Sequence, residues 1–417
     1  MFNINTRAGI FACLITLSLS TTASFAQQST GKEEGFEQFT AILNKMLQSN
    51  PEILAAQAAV VAATHGLKGA ELPLNNPEIG IESERTDTNY FAFSYSQTID
   101  WHDKQKGRQR VAQSELSSAL AELESLRLAL GSELLETMGK LASNEQITAL
   151  SKQRTVILNR FVQLAEKRFS AGDISRSEQE LANLSLSEAI MQHAGNAAAL
   201  IQSRGDYSRL TGEEPDARLT FPNQLPTQLP NTASDTTLIE QHPDFRVAWQ
   251  LAQVARLQIR NTGLERKVDP VFTVTGGRDA DETLIGVSLA IPLTFRNNFS
   301  SSVDIARAQS LQAEQQMQQV KRTLSARIKN ARERYMLVSG AWSQWLTRGN
   351  ISLQQRIEIL EVQWQSGEIS TSDYLLQVQQ TLDTRITSAE LHGNQWSAWV
   401  DWLSGSGTLS DWFNLSN

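Results

Sequence analysis

Cysteine is nearly absent. Cys13 is the only one in 417 residues, and it lies inside a short apolar segment near the N-terminus. Arg7 precedes an apolar run from Ile10 to Leu19, and small residues follow up to Ala23-Ser24-Phe25-Ala26, before Gln27. A charged start, a short apolar stretch and a small-x-small site read as a signal peptide over 1–26, removed on secretion. The mature chain is then expected to contain no cysteine, which excludes disulfides, thiolate metal sites and a cysteine nucleophile. Gln27, not cysteine, follows the cleavage site, so no N-terminal lipid anchor is expected.

Long hydrophobic runs are missing too. After residue 26 no stretch reaches the roughly 18 apolar residues of a membrane-spanning helix. A secreted chain of this kind is either soluble or inserted as a β-barrel, because only helices and closed barrels satisfy backbone groups in lipid. Positive charge is in deficit, at a formal −8, which argues against nucleic acid as a partner.

Catalytic patterns are absent: no Gly-x-Ser-x-Gly elbow and no His-Glu-x-x-His occur. Gly276-Gly277 lacks the Lys-Ser/Thr and helix of a phosphate loop and reads as a turn. The five histidines, His65, His102, His193, His242 and His392, are scattered. A tight metal site needs several convergent ligands, so these read as surface or packed side chains. Asp279, Asp281 and Glu282, read within a Gly276–Glu282 hairpin loop, lack the length of a calcium loop. No enzyme activity, cofactor or resident metal is expected.

What the chain does have is one unit written twice. Asn50-Pro51-Glu52 is matched by His242-Pro243-Asp244, and Asn76-Pro77-Glu78 by Asp269-Pro270-Val271. Ser94 is matched by Ser288, and Ser170-Ala171-Gly172-Asp173-Ile174-Ser175 by Gln365-Ser366-Gly367-Glu368-Ile369-Ser370. Four landmarks recur in order with a nearly constant offset. The expected organisation is a first repeat over 27–212, a linker over 213–236 holding Pro215, Pro222, Pro226 and Pro230, a second repeat over 237–405, and a tail over 406–417.

Each repeat predicts the same parts. A helix begins at Pro51 or Pro243, proline suiting a first helical turn, and ends near Leu72 or Lys267. A β-hairpin follows, about 77–100 or 270–293, in which Phe91, Phe93 and Tyr95, and likewise Ile285, Val287 and Leu289, alternate with small residues. Their face is expected to meet lipid, with Ser94, Ser96 and Ser288 opposite. Tyr90, Phe91, Tyr95 and Trp101 lie near strand ends, as interface girdle residues would. Long helices follow, roughly Lys104 to Arg168 and Ser301 to Gln365. Leucines at 116, 120, 123, 130, 134 and 141 form a coiled-coil seam. Glycine turns, near 169–175 and 365–370, lead into returning helices that end near Thr211 and Trp402. The late tryptophans, Trp396, Trp399 and Trp402, are expected to pack in the equatorial part.

A helix of some 65 residues spans roughly 100 Å. The simplest packing lays the Pro-initiated and returning helices end to end beside it, making a pillar with a glycine turn at one end and a hairpin at the other. Four strands cannot close a barrel, and an open edge cannot sit in lipid, so insertion requires assembly with further copies. The fold class is therefore mainly α with a small β part: long coiled-coil helices and four transmembrane strands per chain.

The whole mature chain resembles the TolC-like outer-membrane efflux factors. The resemblance rests on Asn50-Pro51-Glu52, Asn76-Pro77-Glu78, Lys106-Gly107-Arg108 and Arg168-Phe169-Ser170-Ala171-Gly172, in that order and duplicated. It implies a homotrimer in the outer membrane of a Gram-negative bacterium, with a twelve-stranded β-barrel and a helical barrel across the periplasm. It further implies a passive efflux channel served by a periplasmic adaptor and an inner-membrane pump. The short length and the Asn-Pro-Glu motif look most like the heavy-metal-cation (CzcC-like) branch, which implies a proton-driven cation pump. Alternatives are a duct for drugs or secreted protein, or a periplasmic coiled-coil adaptor or scaffold.

The adaptor-docking or gating rim is assigned to the glycine tips: Arg168, Phe169, Gly172, Asp173, Ser175 and Glu178 in the first, and Trp364, Gly367, Glu368, Ser370 and Asp373 in the second. Trp364 is aligned with Arg168, which makes the two tips unequal. The acidic residues there also have a local explanation, since carboxylates are favourable near helix N-termini.

Overall fold

The structure is a computed structural model of the chain and describes residues 33–85, 89–215, 221, 225–226, 229, 234–349 and 353–413. The signal-peptide reading, 1–26, lies outside the described residues. The first part, α1 (Glu33–Ser49), was not anticipated from the sequence. Phe39, Leu43 and Met46 step by four and three along it, and all three are buried.

The helix α2 (Pro51–Ala70) leads to β1 (Glu78–Arg85) and β2 (Asn89–Thr98). The long α3 (Lys104–Ala171) follows, then the returning α4 (Arg176–Thr211). After the linker come α5 (Asp235–Gln241) and α6 (Pro243–Glu265), then β3 (Val271–Asp279) and β4 (Glu282–Ala290). The second long element is not one described helix. It is α7 (Ser300–Arg348) and α8 (Leu353–Gln365), with 350–352 outside the described residues. The chain ends with α9 (Thr371–Ser406) and α10 (Leu409–Phe413). Leu409 and Phe413 are buried, so this part of the expected tail is core.

α3 has 68 residues, about 100 Å of helix. It packs along α4 and α2, while α7 packs along α6 and α9. The shorter helices do meet end to end, and each junction is held by the residue that opens the next helix. Asn50 caps α2 by accepting from Glu52 N–H at 2.8 Å, and its amide donates to the Leu210 carbonyl near the end of α4 at 3.3 Å. His242 caps α6 in the same way, Nδ1 accepting from Asp244 N–H at 3.1 Å. Its Nε2 lies 3.0 Å from the Ser404 carbonyl near the end of α9. With Nδ1 an acceptor, the proton belongs on Nε2, which donates to that carbonyl.

The leucine seam holds over only part of its length. Leu123, Leu130, Leu134 and Leu141 are buried, but Leu120 is 47% exposed. Nearer the start of α3, the buried line is Val111, Ser114, Ser118 and Ala121. Small residues take the contact there, and Leu120 sits on another face.

Two cores result. The larger lies at the equator and gathers α1, the middle of α3, and Trp396, Trp399 and Trp402 of α9. Trp396 donates to the Leu135 carbonyl at 2.7 Å, and a side chain at Gly139 would collide with its ring. The linker belongs to this core as well: Leu225 is buried, and the Tyr335 hydroxyl donates to the Pro226 carbonyl. The smaller core lies at the glycine turns.

Candidate functional site

Two regions far apart on the helices carry the candidate functional residues. The first is the sheet. Its strands are antiparallel in the order β1-β2-β3-β4, so β1 and β4 are edges. Register places Ile79 beside Tyr95, Tyr95 beside Val274, and Val274 beside Val287. The next row is Ile81, Phe93, Gly276 and Ile285. Phe91, Phe93, Tyr95, Ile285, Val287 and Leu289 thus share one face, and all are exposed, Ile285 at 80%. An apolar face this open is the kind of surface that marks a protein or membrane contact.

The opposite face has another composition. It carries Ser94, Ser96, Thr273, Thr275 and Ser288, together with the carboxylates Glu78, Glu82, Glu84, Asp279 and Glu282. Among the described residues of the strands, this face holds no lysine or arginine. Alternation in the sequence anticipated the apolar face but not the charge of the other.

The reading of Gly276–Glu282 as a hairpin loop is corrected. β3 continues to Asp279, and only Ala280 and Asp281 form the turn, with Ala280 at φ 49°. Gly277 is in the strand because a Cβ there would overlap the Phe91 carbonyl and the Ala92 Cα. Close approach of β2 and β3 requires the glycine, not a change of direction.

The second region is the pair of tips. Gly172 (φ 84°) and Gly367 (φ 80°) are both left-handed, as helix-ending glycines commonly are. At the first, Asp173 N–H donates to Arg168 O at 2.9 Å and Gly172 N–H to Phe169 O at 3.0 Å. At the second, Glu368 N–H donates to Gln363 O at 2.9 Å and Gly367 N–H to Trp364 O at 3.1 Å. By this pattern Trp364 corresponds to Phe169, and Gln363 to Arg168, which corrects the alignment of Trp364 with Arg168. The tips still differ, because Phe169 is 38% exposed and Trp364 only 1%.

Ser175 and Glu178 form a capping box. The Ser175 N–H and hydroxyl both donate to the Glu178 carboxylate, at 2.8 and 2.9 Å, and hold its pKa below the usual range. Ser370 caps α9, and its hydroxyl donates to Asp373 at 2.7 Å. Glu178 and Asp373 are therefore engaged in helix starts, whereas Asp173 and Glu368 sit directly after the glycines.

The two tips are tied together. Arg168 donates to the Trp364 carbonyl at 3.0 Å, and its guanidinium lies 4.9 Å from the Trp364 ring centre. Trp364 also packs on Phe161 and Tyr374, and its indole N–H donates to the Thr371 hydroxyl at 3.3 Å. Burial pushes the Tyr374 hydroxyl up to about 12. Further along, the buried Arg154 donates to Gln192 at 2.6 Å and to Asp383 at 2.7 Å, joining α3, α4 and α9. Sequence reasoning missed Arg154. The signal was its place on the line Ile147, Ser151, Arg154, Leu158, Phe161 and Ala165, all of which are buried. A cation on a buried stripe requires a partner.

Among the described residues, no group of three or more His, Asp or Glu side chains is placed to hold a metal, and no helix is long and apolar enough to cross a membrane.

A coiled-coil pillar bearing a four-stranded antiparallel sheet at one end is the fold of the outer-membrane channel proteins. The solved channels it resembles include Campylobacter jejuni CmeC, at TM-score 0.73 and 15% identity, over 89% of this chain and 86% of that one. Vibrio cholerae VceC matches at TM-score 0.71 and 17% identity, over 89% and 96%. CusC matches at 0.74 and 15%, over 88% and 92%. Neither a protein-family model nor a curated protein sequence matches the chain.

Proposed function

We propose that this chain is the outer-membrane channel of a tripartite efflux system. Three copies close a twelve-stranded barrel, and their helices form a duct across the periplasm toward an adaptor and an inner-membrane pump. The observation that supports this reading is the two-faced sheet on its pillar. One face is apolar and exposed, the other small, hydroxylic and acidic, and both edges are left open. Lipid outside, water inside and identical neighbours at the edges satisfy all three features at once.

The cargo proposed is heavy-metal cations, driven by a proton-coupled cation pump. It is supported by the inward carboxylates, which would favour cations in the lumen. The glycine tips are proposed as the rim that docks the adaptor, with Phe169, Asp173 and Glu368 outermost and Arg168 on Trp364 setting the spacing of the two hairpins.

Reconstitution of the full chain in planar bilayers tests the channel. The expected result is a trimer with a cation-selective conductance. A stable monomer in detergent that conducts nothing would overturn the reading. Gly367→Asp tests the rim. Open space surrounds Gly367, so the added side chain strains only the backbone, by roughly 1–2 kcal/mol. Assembly should survive while adaptor crosslinking is lost, and unchanged crosslinking would sink the docking role.

A further inference from the structure

The charges of the sheet are segregated by face, and the outward face has its own charged element. It is apolar through the Tyr95 and Phe93 rows. Its first charged side chain appears in the next row, which runs Ser83, Phe91, Arg278 and Thr283. Its second is Arg85, opposite Asn89 in the last row before the turns. Both are exposed arginines, and among the described residues no carboxylate shares their face. Glu82, Glu84, Asp279 and Glu282 are near in height but project to the other side of the sheet, as strand alternation requires. No ion pair joins either guanidinium to a described carboxylate.

Height argues for a particular occupant. From the Phe272 row to the Arg278 row is six residues, roughly 20 Å along the strand and about 15 Å of height for a strand tilted about 40°. Exposed Ile99 and Ile291 continue the apolar face toward the helices, which brings it nearer the apolar band of an outer-membrane barrel, about 25 Å tall. The Phe91 and Phe93 rings, 4.8 Å apart and edge to face, mark the same boundary. Arginine stems can lie along such an apolar surface while the guanidinium reaches the polar layer. There, the planar fork matches a phosphate through paired hydrogen bonds.

We infer that Arg85 and Arg278 form an outward-facing collar that binds the phosphate groups of lipids in the outer leaflet. This rests on the channel reading, which sets the sheet in the membrane with its turns outermost. The lumen-side carboxylates would repel such headgroups, so the two faces sort lipid from cargo by sign.

The test uses the full chain in nanodiscs of phosphatidylcholine containing a small fraction of lipid A, either bisphosphorylated or dephosphorylated. Retained lipid is counted by native mass spectrometry, and insertion is scored by protease protection of the strands. The parent should retain the phosphorylated form about tenfold better than the dephosphorylated one. Arg85→Gln/Arg278→Gln should insert normally and lose that preference, whereas Glu82→Gln/Glu84→Gln should keep it. Insertion with equal retention of both lipids, or a preference that survives loss of both arginines, would overturn the collar alone. Failure of the parent to insert would overturn the channel reading as well.

Discussion

Between Trp342 and Phe221 the imidazole of His392 is held like a third ring. Its plane lies 2° from that of Trp342 at 4.4 Å, and Phe221 of the linker stands 4.6 Å away. Burial lowers its pKa to about 4, against about 6.5 for a free histidine. As pH falls, the unfolded chain therefore takes up a proton before the folded one does. Stability should be full above about pH 6.5 and decline toward pH 4, by up to about 3 kcal/mol from this group. Burial shifts His242 in the same direction and adds to the slope. Thermal melts of parent and His392→Gln between pH 7 and 4 separate the effect from that of the carboxylates. The variant should lose less stability across the window, and parallel profiles would rule the assignment out. None of this was legible in the sequence. His392 has no patterned neighbour, and its partners lie fifty residues away on α7 and across a proline-rich linker.

At the level of elements, the junctions between short helices make a sharper claim than the long ones. Asn50→Ala removes a helix cap and strips the Leu210 carbonyl of its donor, at a cost of about 1–2 kcal/mol. Asn50→Asp keeps the cap but loses the amide donor, so it should recover only part of the loss, and urea unfolding of the three proteins measures the split. Equal stability of Asp and Asn at this position would show that the link to α4 contributes nothing. The landmarks Asn50-Pro51 and His242-Pro243 were visible as sequence, and proline explained why helices start there. Why asparagine and histidine precede the prolines was not visible, because it depends on a carbonyl about 160 residues distant in each case. The helix α1, by contrast, was legible and was overlooked: Phe36, Phe39, Ile42, Leu43, Met46 and Leu47 fall at helical spacing, and all pack into the equatorial core. At the tips, the glycines were legible because a left-handed residue between helices has few solutions. The one-residue misalignment of Trp364 was avoidable in the sequence, because matching Gly172 with Gly367 already sets Phe169 against Trp364; the hydrogen-bond register agrees.

For the whole molecule, position in the membrane is the property most open to test. Val287 and Ser288 are neighbours in sequence with opposite surroundings. Val287→Arg should weaken assembly by about 2–4 kcal/mol if it faces the lipid midplane. Ser288→Arg should assemble as the parent does and reduce single-channel conductance to cations. The yield of the proposed trimer after mild detergent extraction, measured with both variants, reads the difference, and equal tolerance would argue against insertion.

The open edges at β1 and β4 carry a consequence for inheritance. If three copies close a ring as proposed, a protomer whose edge is spoiled, for instance by proline within β4, can still fold its helices and dock with normal chains. It then leaves the ring unsealed for all of them. In a cell making equal amounts of both chains, random mixing would leave only about one trimer in eight free of the altered copy. Such an allele should therefore be dominant over the normal one. A deletion that removes the chain altogether should be recessive.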